Sequence, residues 1–374
     1  QTKLSKLGEI LFLEEEPPLN PDSDGLEEYT ILIWKYGREL KKRHVMRFTE
    51  RSYDPFENCS VKNCVVRYKK SYISSADLVI FDLNHIKGTN ELPLKSVRNP
   101  NQIWAFLSDR SPLRTFSASA SADISDFDDI FNWSMTYRMN SDIPVPYGQT
   151  LLLRHRQKHL EIDYEEWNKS KHQNILLAIV MSDCRKTSYR LNYIKELQKH
   201  LKIDIYGNCG NKRCKAYAEN IFPDELIDCE ETIKYKFYLA FENSNCDEFI
   251  TEQVWWYAYS KNAIPIVMGG SKKYYEQLLP PHSYINTEKF ARPRDLVNYI
   301  VYLNNTPSDI LQYFVWKKYF KVVNEHGYFH TASQHYCRAC EALNYNNKDE
   351  KTIHDMEDYW VEGKCHSSSI FDLE

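Results

Sequence analysis

Short apolar runs closed by turn residues or polar stretches mark out the strands of this chain. YTILIWKYG (29–37), ADLVIFDL (76–83) and QIWAFL (102–107) are three such runs in the first half. The second half restarts with NILLAIVMS (174–182), which does not alternate and therefore predicts a strand buried on both faces. RLNYIKELQKH (190–200) follows with Leu191, Ile194, Leu197 and Leu201 on one helical side, and then KIDIYG (202–207) as the next strand. Strand, helix, strand in this order implies a parallel sheet. The same logic makes YKFYLAFE (235–242) a strand, FITEQVWWYAYSKN (249–262) a helix and AIPIVMG (263–269) a strand, its proline fitting best near a strand end.

The segments between these runs set the expected organisation. Residues 1–28 are polar, contain EEEPP and read as a linker or stem remnant. The Ser/Ala-rich TFSASASAD (115–123) reads as a mobile loop. The charged stretch 154–173 reads as a linking helix and puts the domain boundary there. The expected division is a domain over 29–165, a second over 166–345, and a tail, 346–374, packing back on the body.

Composition removes several classes of function. The net charge of −4 over 374 residues favours neither nucleic acid nor an anionic membrane as partner. Basic runs such as KKRH (41–44) read as solvated surface. With 11 glycines and no Gly-rich phosphate loop, any phosphate has to be held by helix N-termini and side chains. No run of about 18 apolar residues occurs, so no membrane span is expected. The chain starts at Gln1, which reads as a mature luminal portion whose targeting segment was removed. Ten cysteines and sequons at Asn58, Asn132, Asn168 and Asn304 fit an oxidising lumen. Cys337 and Cys340 form a C-x-x-C pair. Structural disulfides explain it better than redox or zinc chemistry, because no thioredoxin-like context and no second C-x-x-C accompany it.

Ligands of parallel sheets bind beyond the carboxyl ends of the strands, beside helix N-termini. Glu242, Asn243, Thr251 and Glu252 all fall on that rim. One carboxylate at a helix start merely complements the dipole; the whole set on one rim points to a site.

These blocks resemble the α-1,3-fucosyltransferases, glycosyltransferase family ten, over roughly residues 29–345. YKFYLAFEN…FITE…PIVMGGSKKYYEQLLPPHSYI is similar to the family's donor signature. FNWSMTYRMNSDIPVPYG (131–148), VMSDCRKTSYRLNYIKEL (180–197) and HYCRAC (335–340) look like further family blocks. The resemblance implies a GT-B fold, two Rossmann-like domains facing across a cleft. It implies transfer of fucose from GDP-fucose to a GlcNAc hydroxyl of N-glycans or related glycoconjugates, with inversion. It also implies a type II Golgi membrane protein with a luminal catalytic region. For the donor it implies Arg190 at the pyrophosphate, whose planar fork suits phosphate oxygens. Asn243 and Tyr238 would line the nucleotide pocket, with Glu252 on the ribose or the fucose. Lys236 would add positive potential, Ser182 would sit on the polar turn after the first strand, and Phe249 would stand where the family has Tyr. Cys59 and Cys64 would pair with Cys337 and Cys340, leaving the partners of the other six cysteines open.

Two departures from the family pattern bear on activity. Gln253 stands in place of a lysine that neutralises the departing phosphate. In FLSDRSPLRT (106–115), Arg110 stands where the family has its glutamate base, and arginine cannot act as a base. Asp109 is then the candidate base. Its alternative is a loop carboxylate paired with Arg110, because in an extended segment neighbours point oppositely. The D-x-D within DFDD (126–129) is the pattern that holds a divalent metal elsewhere. It lies before FNWS rather than after a donor strand, and the resemblance implies metal-independent chemistry, with Mn²⁺ at most a stimulant. Arg110 and Gln253 also motivate a second reading, a catalytically silent member that binds glycans or partners.

Overall fold

Six strands form the first sheet: β1 (Tyr29–Lys35), β2 (Cys64–Arg67), β3 (Leu78–Asp82), β4 (Ile103–Ser108), β5 (Trp133–Thr136) and β6 (Ile143–Pro144). They lie in the order β2-β1-β3-β4-β5-β6, every pair parallel. The computed structural model describes residues 27–35, 55–56, 59–115, 123–153, 155, 162–184, 189–210, 212–214, 228–331, 333–349 and 351–366. Nearly all of the expected stem, the KKRH run, Asn58, most of the Ser/Ala-rich segment and part of the 154–173 stretch lie outside these residues.

The chain divides into two units, 1–146 with 325–365 and 147–324 with 366–374. This differs from a boundary near 165 and a second domain ending at 345. The reason is the C-terminal helix His335–Tyr345. Its Tyr336, Ala339 and Leu343 pack into the first core with Ile31, Ile80, Ala105 and Trp133. Disulfides Cys59–Cys337 and Cys64–Cys340 hold it there, as the resemblance implied. The tail continues over the same unit, where Trp360 is fully buried and donates from Nε1 to Thr115 Oγ1 at 2.8 Å.

The second unit opens with β7 (Gly148–Leu152). Its core sheet comprises β8 (Leu177–Val180), β9 (Ile203–Tyr206), β10 (Phe237–Phe241), β11 (Ile264–Met268) and β12 (Ile285–Asn286). The order is β12-β11-β10-β8-β9, again all parallel; β13 (Phe320–Asn324) pairs antiparallel with β7. Helix α1 (Tyr164–Ser170) is the described part of the expected linking helix, capped by Asp163. Helix α2 (Tyr189–Gln198) crosses from β8 to β9 and buries Tyr193, Ile194 and Leu197. The helix expected over 249–262 starts later: α3 (Glu252–Val254) begins at its N-cap Thr251 and runs into wider π-helical winding over Trp255–Ser260. That winding seats Tyr257 in a stack on Tyr238, ring centres 5.4 Å apart.

In chain order the second sheet is 2-1-3-4-5, and the first is the same with one strand added. This doubly wound order has its switch point between the first and third strands, beyond whose carboxyl ends ligands bind. Cys184–Cys209 and Cys214–Cys229 are disulfides of the second unit, and Cys246 and Cys365 are also disulfide-bonded.

Candidate active site

In the second unit the switch point lies between β8 and β10. Glu242, the residue after β10, is buried and grips the start of α3 with both oxygens. It accepts from the Thr251 backbone N–H at 2.8 Å and from Thr251 Oγ1 at 2.8 Å. The two halves of the FEN…ITE stretch are thereby one structural unit. Burial, reinforced by the nearby Glu252 charge and opposed by the Thr251 bonds, pushes the Glu242 carboxyl up to about 8. Gly269, at φ 111°, lets β11 end against it, since a Cβ there would sit 3.0 Å from the Glu242 Cβ.

Around this clamp the rim carries polar groups reaching solvent. Arg190, from the first turn of α2, donates to Phe241 O at 3.1 Å and to Asp183 O at 3.4 Å, so its guanidinium bridges the ends of β10 and β8. Asn243 and Ser182 are exposed, and Glu252 and Gln253 are half-buried. Gln253 Nε2 reaches Glu252 Oε1 at 3.4 Å.

Three expected donor residues lie elsewhere. Lys236 precedes β10, at the opposite edge of the sheet, where its ammonium donates to Asn304 Oδ1 at 2.7 Å and Gln173 Oε1 at 3.3 Å. A residue at the amino end of a parallel strand cannot reach the carboxyl rim. Tyr238 is fully buried mid-strand, accepts from Val180 N–H and donates to Gln253 Oε1 at 2.8 Å. It orients Gln253 and does not line a pocket. Phe249 is buried against Tyr147, edge to face, and supports the rim from beneath.

In the first unit the corresponding rim is acidic. Asp109, just past β4, is buried and accepts from Asn84 Nδ2 at 3.1 Å; its other oxygen meets His326 Nε2 at 3.1 Å. Asn84, past β3, also donates to Asp82 Oδ1 at 3.0 Å, so one amide bridges two carboxylates. His85 pairs with Asp82 at 2.7 Å, a bond that raises the imidazole above its usual value. Arg110 is exposed. Asp109 thus turns into the unit, toward Asn84 and His326.

His326 and Asn84 had no sequence motif to announce them. One signal existed: if the C-x-x-C helix is tied to Cys59 and Cys64, the histidine-rich HGYFHTASQH just before it belongs to the first unit.

The DFDD carboxylates serve local structure. Asp126 completes a capping box with Asp123, Asp128 accepts from Met356 N–H and Asp129 pairs with His354. Among the sequons, Asn132 spends its amide inside the fold, donating to Lys351 O and accepting from Trp104 N–H and Arg98. A glycan on that nitrogen would break the first of these bonds. Asn304 accepts from Lys236, and Asn168 lies within α1.

A family model described as "Glycosyltransferase family 10 (fucosyltransferase) C-term" matches residues 168–360, and "Fucosyltransferase, N-terminal" matches residues 26–148. The chain belongs to glycosyltransferase family 10. It is 31% identical over 307 residues to "Glycoprotein 3-alpha-L-fucosyltransferase A" of Drosophila melanogaster, covering 81% of this chain and 55% of that protein. It is 34% identical over 257 residues to "3-galactosyl-N-acetylglucosaminide 4-alpha-L-fucosyltransferase FUT3" of Bos taurus, covering 68% and 64%. The chain thus spans between half and two thirds of the length of these relatives. A crystal structure of an α1,3-fucosyltransferase matches with a TM-score of 0.51 at 14% identity, covering 95% of this chain and 98% of that one. The fold of this family 10 chain is accordingly of the GT-B class. Among the described residues no helix is long and apolar enough to cross a membrane.

Proposed function

We propose that this chain is the catalytic region of an inverting α-1,3-fucosyltransferase. It moves fucose from GDP-fucose to a GlcNAc hydroxyl of N-glycans or related glycoconjugates, in the Golgi lumen as part of a type II membrane protein. The observation that carries this reading is the switch-point rim of the second unit. There Arg190 and the Glu242–Thr251 clamp stand where a doubly wound sheet takes a nucleotide. The acceptor oxygen attacks C1 of fucose as the bond from C1 to the diphosphate breaks, and the hydroxyl proton passes to Asp109. Arg190 and the Gln253 amide stabilise the departing GDP, while Asn243, Ser182 and Glu252 contact nucleotide, ribose or sugar. No metal is required, and added Mn²⁺ acts at most as a stimulant. The names of the two relatives give a 3-linkage for one and a 4-linkage for the other. The 3-linkage is favoured here by the FEN…ITE resemblance.

A second reading is favoured by one feature. Gln253 brings no charge to the phosphates, and its Oε1 is engaged by Tyr238. This describes a weak or silent member that binds glycans or partners. GDP-fucose turnover by the purified chain, with core-type and antennary acceptors offered separately, decides between them. Transfer to either acceptor establishes the enzyme. No transfer by folded protein, with no rise in melting temperature at millimolar GDP, establishes the silent member.

A further inference from the structure

We propose that His326 is a positioning residue for Asp109, holding the carboxylate through its Nε2 in the orientation that receives the acceptor's proton. The proposal rests on Asp109 being the base. The arrangement is specific. Asp109 Oδ1 meets the Asn84 amide and Oδ2 meets the His326 ring, both at 3.1 Å, in a pocket where the Asp109 and His326 side chains are 10% and 2% exposed. A carboxylate held at both oxygens by fixed donors has one orientation, and proton transfer depends steeply on orientation. The ring is itself fixed, with Tyr328 at 5.2 Å and the edge of His335 at 4.6 Å between ring centres. The backbone beside it is also anchored. Glu325, the preceding residue, is buried and pairs with Arg338 Nη2 at 2.6 Å, and Arg338 also donates to Pro144 O. Arg338 sits between Cys337 and Cys340, so the two disulfides that tie this helix down also fix the approach of His326.

Nothing catalytic is needed from the ring beyond donation. The bond changes are those of the transfer itself: the acceptor O–H gives its proton to Asp109, its oxygen bonds to C1, and the diphosphate leaves with the electron pair. Throughout, the imidazole keeps its Nε2–H pointed at Oδ2.

The test compares His326→Gln, His326→Ala and Asp109→Asn with the parent, by steady-state kinetics and by proton NMR of ring N–H groups. In the parent a His ring N–H protected from exchange is expected, and it disappears in Asp109→Asn and in His326→Ala. His326→Ala is expected to lower kcat about 10–100-fold while leaving KM for GDP-fucose within twofold. His326→Gln, whose amide also donates, is expected to recover much of that loss. Equal losses in Gln and Ala variants, or parent-like kcat in His326→Ala, would overturn the proposal. So would a ring N–H signal indifferent to Asp109→Asn, a readout that stands even if the parent transfers no fucose. Full activity in Asp109→Asn would instead sink the assignment of the base.

Discussion

The two rims share a strand order and differ in chemistry. In the first unit, side chains close on one another: Asp109 with His326, Asp82 with His85, one Asn84 amide joining both carboxylates. In the second, the buried carboxyl of Glu242 is spent on holding a helix start, and Arg190, Asn243, Glu252 and Gln253 reach toward solvent. One rim thus supplies a fixed carboxylate and the other a set of solvent-facing polar groups. The proposed inverting transfer would need both, a base for the incoming oxygen and hydrogen-bond donors for the leaving phosphate.

Removing the proposed base should show the largest effect. Asp109→Asn keeps shape and removes proton acceptance, so kcat should fall by about 10²–10⁴. Binding of GDP, assigned by the proposal to the other rim, should stay unchanged by calorimetry. A matching loss of GDP affinity would mean that the division of labour is wrong.

Next is the covalent frame of the first rim. Replacing Cys64 and Cys340 together by Ser opens a link spanning 276 positions, and should cost about 2–5 kcal/mol of stability. Scanning calorimetry should show this as a lowered transition of the unit holding residues 325–365, with GDP protection of the other unit kept. A single transition falling as a whole would show that the two units unfold together.

How much of this was legible in the sequence follows from where the signals lie. Every strand singled out from an apolar run is present, because a run buried on both faces is a local property of the chain. The Glu242–Thr251 pair was visible as rim residues, since position along a parallel strand fixes which edge a residue reaches. The same rule, applied to Lys236 at the start of β10 and Tyr238 within it, removes both from the rim. The π winding after α3 was not legible, because WWYAYS suits an ordinary helix equally well. The Asp109–His326 contact joins residues 217 apart, and no periodicity encodes it. The return of 325–365 to the first unit depended on the disulfides, which is why a boundary drawn at 345 missed it.

Third is the charge of Glu242. Its folded value, pushed up to about 8, lies above the ordinary carboxyl value of 4.5. Between those two pH values the folded state keeps a proton that the unfolded chain has lost. The associated stability is fully present below about pH 4.5 and is lost as pH rises through 8. The loss is on the order of 5 kcal/mol. Glu242→Gln cannot titrate, so its melting temperature should be flatter across pH 5–8 than the parent's. An unchanged slope would mean that the two Thr251 bonds keep Glu242 ionised throughout.

The smallest expected effect comes from Gln253→Lys, and it bears most directly on the contrast between the rims. The Tyr238 hydroxyl loses its acceptor at Gln253 Oε1, which costs about 1 kcal/mol of stability for a buried hydroxyl left short of a partner. Against this, an ammonium at the start of α3, beside Glu252, adds positive charge where the diphosphate is expected. A charge-assisted bond is worth roughly 1.5–3 kcal/mol, and screening at a half-exposed position takes it toward the lower end. GDP should bind about tenfold tighter, with the gain shrinking as salt is raised from 0.05 to 0.5 M. If GDP affinity is unchanged at low salt, the phosphates lie away from the start of α3 and Arg190 alone carries the donor charge. If kcat rises together with affinity, the neutral Gln253 is what holds turnover down, and the asymmetry between a fixed carboxylate and a weakly charged cradle accounts for the rate of the proposed transfer.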